Sequence, residues 1–235
     1  KNLEIAITGL ETVLQLRPRE TLCQEWGQTL HHLAVVYRHR IVGDKADNLE
    51  KAIAFYKQAL TVRTFEAFPI DWAITQNNLG IAYRQRIKGD KSQNIEEAIA
   101  CYKQALQVRT FEAFPIDWAI TQNNLGIAYR NRIKGDKAQN IEEAIACFQK
   151  ALTVRTCDAF PQAWADTQTN LGNAYRNRIK GQKSQNLEKA IACYQQVLKV
   201  RTCDAFPQAW ADTETNTFLG NAYLYRIRSC RDNYP

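Results

Sequence analysis

The chain repeats itself every 46 residues, and this constrains its fold more than any motif it contains. Trp26, Trp72, Trp118, Trp164 and Trp210 keep that step, as do Arg17, Arg63, Arg109, Arg155 and Arg201. So do Gly43, Gly89, Gly135 and Gly181, and Pro69, Pro115, Pro161 and Pro207. Blocks 65–110 and 111–156 match at 40 of 46 positions, and five copies fill 230 of the 235 residues. A fixed period of this length means an array, in which each unit buries its apolar face against its neighbours.

Each copy reads as two helices. The first opens at Pro69-Ile70-Asp71-Trp72, where the missing N–H of proline costs nothing. It is expected to run to about Ile87 and to be stopped by Gly89. The second is expected to begin at Asn94 as N-cap, with Asn94 and Glu97, and again Asn140 and Glu143, as capping boxes. Ile95, Ala98, Ile99, Tyr102, Ala105 and Leu106 then form an i, i+3, i+4, i+7 apolar stripe, and 110–114 connects to the next copy. Nothing alternates with the period of a strand. At ~100° per residue Trp72, Leu79 and Tyr83 share one face, which places the tryptophan row in the core. Gly80, lacking a Cβ, admits a close helix partner, with Ala98 and Ala105 opposite.

Leu79-Gly80-x-x-Tyr83 followed by Ala98-x-x-x-Tyr102 resembles the tetratricopeptide repeat. The pattern recurs as Leu125-Gly126-x-x-Tyr129 with Ala144-x-x-x-Phe148, and as Leu171-Gly172-x-x-Tyr175 with Ala190-x-x-x-Tyr194. Two features depart from the family: Gln76 stands where its tryptophan belongs, and its closing proline is absent. A 46-residue unit is longer than the family's usual one of about 34, and resembles the longer-helix variety of kinesin light chain. The resemblance implies an all-α, right-handed α-solenoid of helix-turn-helix repeats with about ten helices. The expected layout is a single array over 1–235: a second helix at 1–17, helix pairs at about 21–64, 70–110, 116–156 and 162–202, and a final first helix at 208–228. Phe-Pro-x-x-Trp-Ala and Asn-Leu-Gly-x-Ala-Tyr-Arg resemble arrays of cyanobacterial and other bacterial multidomain proteins, which precede a caspase-like peptidase domain or accompany a signalling ATPase. That implies a non-catalytic protein-interaction scaffold, a fragment of a larger protein whose chemistry lies elsewhere.

Such arrays curl so that their first helices line a groove. Asn78 lies opposite the packing face, flanked by Ile74, Ile81 and Gln85. Across copies this gives a row of Asn78, Asn124, Asn170 and Asn216, and a second of Gln85, Asn131 and Asn177. A carboxamide offers donor and acceptor together, so the first row resembles a ladder for the backbone of an extended peptide; the alternative is plain solvated surface. Ile74, Ile120, Ile81 and Ile127 make the middle of the groove apolar. Asp166, Asn173, Asp212 and Asn221 replace them toward the C-terminal end, where a basic or polar peptide residue would fit.

Two arginine rows flank the asparagines: Arg38, Arg84, Arg130 and Arg176, and Arg40, Arg86, Arg132, Arg178 and Arg226. Arg84, Arg130 and Arg176 are candidate contacts for an acidic partner. The competing reading pairs both rows internally with Glu96, Glu97, Asp90 and their counterparts.

Other classes of function are poorly served. The histidines are His31, His32 and His39, without the i, i+4 spacing of a ligand pair, so no metal, cofactor or catalytic group is expected. A net charge of +7 is modest for a nucleic-acid binder, although the arginine rows keep that alternative open. Apolar runs of about five residues, such as 33–37, fall far short of the ~18 that a membrane helix needs. Seven cysteines without a C-x-x-C pair read as reduced thiols of a cytoplasmic protein. The half-repeats at the two ends raise a further alternative, head-to-tail self-association into a structural assembly.

Overall fold

The structure, a computed structural model, describes residues 2–16, 19, 22–201 and 223. Among the described residues the elements are α1 Asn2–Leu16, α2 Cys23–His39, α3 Lys45–Ala59, α4 Pro69–Gln85, α5 Lys91–Ala105, α6 Pro115–Arg130, α7 Lys137–Leu152, α8 Pro161–Arg176 and α9 Lys183–Val200, with no strand. The fold class is an all-α helical-repeat solenoid. The chain divides into two compact units, Lys1–Ala113 and Phe114–Pro235. In the first, α2 pairs with α3 and α4 with α5, while α1 packs on α2 and α3 on α4. In the second, α6 pairs with α7 and α8 with α9, with α7 against α8. The first helix expected over 208–228 lies, apart from Tyr223, outside the described residues, and with it Asn216, Asp212 and Asn221. No helix among the described residues is long and apolar enough to cross a membrane.

The helix boundaries differ from the sequence expectation in an informative way. Proline does open each first helix from α4 onward. The helix ends at Gln85 rather than Ile87, however, because Arg86 turns extended to reach across to α3. Gly89 is not the helix stop; it holds φ +78° inside the loop, a conformation only glycine adopts without strain. The second helix starts at Lys91, three residues before the expected cap. Asp90 is the N-cap, its carboxylate accepting from the backbone N–H of Gln93 at 2.7 Å. Asp44 and Asp136 cap α3 and α7 in the same way.

Asn94 therefore sits inside the helix, buried. Its Nδ2 donates to the Lys88 carbonyl at 2.9 Å and its Oδ1 accepts from Arg86 Nη1 at 3.2 Å. It ties the loop to the helix rather than capping it. The first turn, Lys91-Ser92-Gln93, has no apolar residue, so hydrophobic periodicity alone places the start too late.

The core is built of ring-on-small-residue contacts. Tyr102 is fully buried and lies across Gly80; Phe148 covers Gly126 and Tyr194 covers Gly172 in the same register. The approach that Gly80 permits is thus that of a ring on α5. Trp26, Trp72, Trp118 and Trp164, expected in the core, are only half-buried, and Trp210 lies outside the described residues. Trp72 occupies the first turn of α4, where the edge of Phe65 from the connector meets it at 5.2 Å between ring centres.

Candidate functional site

The two arginine rows have different roles. Arg86 grips Glu50 of α3 with both ends of its fork, Nε donating to Oε1 and Nη2 to Oε2, each at 2.7 Å. Arg40 holds Glu4 at 2.8 and 2.6 Å, and Arg178 holds Glu142 at 2.8 and 2.9 Å. The free Nη1 of each reaches the buried asparagine of the next second helix, Asn48, Asn94 or Asn186. These guanidiniums hold the Glu50 and Glu142 carboxyls below the usual carboxylate range. For Arg40, Arg86 and Arg178 the internal reading is correct, and their partners are the counterparts of Glu96; Arg226 lies outside the described residues.

Arg38 and Arg84 are otherwise. Both are half-buried, and neither makes an ion pair among the described residues. The Nε of each is buried without a hydrogen-bond partner. Arg84 lies beside the Tyr102 hydroxyl and Arg38 beside that of Tyr56, and each guanidinium pulls the pKa of its hydroxyl down against the burial that raises it. Burial pushes the Tyr102 hydroxyl up to about 12, against the pull of both Arg84 and Arg38. In the second unit Arg130 and Arg176 are half-buried as well; Arg130 Nη1 donates to Asn170 Oδ1 at 3.4 Å, and both act on the hydroxyl of Tyr194.

The asparagines lie where first helices touch. In the first unit Asn78 Nδ2 donates to His31 Nε2 at 3.3 Å, and Asn78 Oδ1 accepts from Asn77 at 3.3 Å. In the second, Asn170 Nδ2 donates to Asn123 Oδ1 at 3.3 Å. His31 and Asn123 hold the same register, so the same inter-helix bond forms in both units. Asn78, Asn124 and Asn170 are half-buried, as are Ile74 and Ile81 in the first unit and Ile120 and Ile127 in the second. Gln85, at the end of α4, and Asn131 and Asn177, which follow α6 and α8, are exposed.

Asn173 departs from the groove lining expected of it. It is buried, and its Oδ1 accepts from the Tyr194 hydroxyl at 3.0 Å. Asp166 is engaged by Arg201.

Sequence reasoning also missed a buried polar triad in the first unit. Thr75 gives its one hydroxyl proton to the Asp71 carbonyl at 2.7 Å. It must then accept from both Arg63 Nη1, at 3.2 Å, and His31 Nδ1, at 3.1 Å. His31 is therefore neutral, with its proton on Nδ1 and its Nε2 lone pair facing the Asn78 amide. Burial, then Arg63, His32 and Arg38, push its pKa down to about 3. The signal was present as a recurrent Arg…Thr spacing of twelve, met again at Arg155 and Thr167 (3.0 Å). Among the described residues no three His, Cys, Asp or Glu gather as a metal site would require.

Comparison with known proteins agrees with the helix pairs. The family description "Tetratricopeptide repeat" matches residues 72–110 and 164–202. "Sel1 repeat" matches residues 29–61 and 119–153. The two tetratricopeptide matches lie two periods apart, and the intervening copy is nearly identical to the first. Among solved structures the chain is similar to BtubC (BKLC) from P. vanneervenii, at 19% identity and a TM-score of 0.51, covering 86% of this chain and 91% of that one. At that identity the likeness concerns the fold alone. No curated protein matches the chain.

Proposed function

From a chain that carries tetratricopeptide repeats, a class that mediates protein–protein interactions, we propose a scaffold that binds an extended segment of a protein partner along its first helices. The observation that carries this is the residual hydrogen-bonding capacity of the asparagines. A carboxamide has two N–H donors and two acceptor lone pairs. Asn78 and Asn170 each spend one donor and one acceptor on neighbouring side chains. Each keeps one of both kinds, which is what a passing peptide unit, with one N–H and one C=O, can use. The inter-helix bonds also fix the amide orientation before a ligand arrives, which lowers the ordering cost of binding.

Apolar contacts would come from Ile74 and Ile81 in the first unit and Ile120 and Ile127 in the second. Gln85, Asn131 and Asn177 would serve the exposed edge. The bacterial multidomain arrays that the repeats resemble support placing this module within a longer cytoplasmic protein, with catalysis elsewhere.

The test compares the chain with an Asn78→Ala/Asn124→Ala/Asn170→Ala variant against a displayed library of random dodecapeptides. Enrichment by the parent chain, lost in a variant that melts normally, is the expected result. Equal enrichment by both overturns the asparagine ladder. Binding that weakens steeply with salt and is matched by oligo-dT would instead indicate a phosphate-binding surface.

A further inference from the structure

Each helix pair runs out and back, so its loop and the connector that follows it lie at opposite ends. Both ends carry exposed apolar side chains that the helix pairs do not use. In the first unit the connector end shows Phe65, Ile70 and Phe111, which are 44%, 53% and 47% exposed. Phe65 keeps that exposure although its edge meets Trp72. In the second unit the loop end shows Ile133 and Ile179, 60% and 58% exposed. The loop isoleucine recurs as Ile41 and Ile87, both exposed, so it stands at this register in all four described loops. Exposed apolar residues scattered singly are ordinary, but a set repeated at one register calls for a reason.

The two ends differ in charge. Connector stretches 64–70 and 110–113 hold Glu66 and Glu112, both exposed, and no lysine or arginine. Neither glutamate makes an ion pair among the described residues. Arg63 and Arg109, which precede these stretches, are buried. The loops and first turns of the second unit, 133–139 and 179–185, hold Lys134, Lys137, Lys180 and Lys183, all exposed, against one aspartate. That aspartate, Asp136, is the N-cap of α7, and Lys180 donates to the neutral Gln139. The matching stretches of the first unit, 41–47 and 87–93, balance three lysines with three aspartates. The second unit's own connector, 156–162, carries Cys157 and Gln162 in place of the phenylalanine and isoleucine. An acidic, apolar end thus belongs to the first unit and a basic, apolar end to the second.

We propose that the connector end of the first unit in one copy of this chain docks on the loop end of the second unit in another copy. Phe65 and Phe111 stand one repeat apart, as do Ile133 and Ile179, so two points on one surface meet two points on the other at the same step. The apolar side chains cover one another while Glu66 and Glu112 face the lysines, and each set gains its complement only when two copies meet. The contact is heterologous, since it joins two different patches and leaves each copy one of either kind for a further neighbour. Repeating it gives a ring if the rotation closes and an open row if it does not; both exceed the monomer and grow with concentration. The copies lie side by side, and the first-helix asparagines take no part, so the contact stands or falls independently of peptide binding.

The experiment measures the mass of the whole 235-residue chain by light scattering, from about 10 to 500 µM, where contacts of modest size assemble. The parent is compared with Glu66→Lys/Glu112→Lys, Lys137→Glu/Lys183→Glu and Ile133→Ser/Ile179→Ser. Every substituted side chain is exposed, so all four proteins should melt at about the same temperature. The parent is expected to reach at least about twice the monomer mass, and each variant to need about tenfold more protein for the same rise. An equal mixture of the two charge-reversed variants is expected to recover the parent's curve. One then presents two basic ends and the other two acidic ends, so each meets its complement only in the other. A parent that keeps the monomer mass throughout overturns the proposal. Assembly that neither charge reversal weakens also overturns it and places the contact elsewhere, and so does a mixture that assembles no better than its components.

Discussion

A Cβ added to Gly80 would stand 2.7 Å from Cε1 of Tyr102 and 2.9 Å from its Cδ1. Tyr102 is fully buried, so the ring has no open space into which to retreat. Ala34 holds the same register in α2 and is fully buried, as is Tyr56, the counterpart of Tyr102, so the repeat accepts a methyl group there in one copy; α4 and α5 are spaced for glycine. Overpacking of this kind costs about 1–3 kcal/mol, against a gain of about 1 kcal/mol in helix propensity. Gly80→Ala is therefore expected to destabilise the chain by about 1 kcal/mol in urea melts. Gly9→Ala, in α1 with nothing within 4 Å of the added carbon, should stabilise it by a similar amount.

Three of the described second helices from α3 onward have an aspartate cap, and α9 does not. Gln182 stands where Asp44, Asp90 and Asp136 stand elsewhere, and it makes no side-chain bond to the first turn. The backbone at Gln182, φ −74° and ψ 131°, is already that of the capped copies. Gln182→Asp should therefore form the missing bond without rearrangement and add about 0.5–1 kcal/mol of stability. An unchanged or lowered denaturation midpoint would contradict this account of the loop.

These two positions show what the sequence made legible. Repetition made the order of the described helices legible and put proline at the first-helix starts from α4 onward, because both depend on local chemistry. It placed the second-helix starts late because Asp90 caps a turn with no apolar residue, and a periodicity reading begins at the first apolar one. Trp72 was expected in the core from its angle on the wheel, but angle says nothing of height along the helix; at the first turn its neighbour is the connector. The division between Arg84 and Arg86 was not visible either. The two residues are two apart in every copy, and only the extended backbone at Arg86 carries one of them across to Glu50.

Cysteine reactivity should divide by place in the fold. Cys101, Cys147 and Cys193 are buried on second helices, where burial pushes the Cys101 thiol up to about 12 and that of Cys193 to about 11. Cys23 and Cys157 are exposed. Since the thiolate is the reactive form, a maleimide or disulfide reagent at pH 8 should modify Cys23 and Cys157 in the native chain. The three buried residues should react at least tenfold more slowly until urea is added, as read by mass spectrometry of digested samples. Rapid native labelling of Cys101 would mean that the α4–α5 pair opens readily.

Acidification should weaken the first unit in two separable windows. His31 holds a folded-state pKa of about 3, well below the usual 6.5 of an unfolded histidine. Between those values the unfolded chain binds a proton that the folded chain refuses. Its contribution is thus fully present above about pH 6.5 and is lost as the pH falls toward 3, at a slope of up to about 1.4 kcal/mol per pH unit. His32 and His39 are pushed down as well, mainly by burial, and add to the same slope. Glu50, held below the carboxylate range by Arg86, contributes stability that is lost only below about pH 4.5. Urea midpoints measured from pH 7.5 to 5 should therefore fall with a histidine slope before any carboxylate titrates. In His31→Gln, whose amide keeps hydrogen-bonding capacity and cannot take up a proton, that slope should flatten markedly. A slope unchanged by the substitution would show that His31 is protonated in the folded chain, and with it that the Thr75–His31–Asn78 chain of hydrogen bonds runs differently.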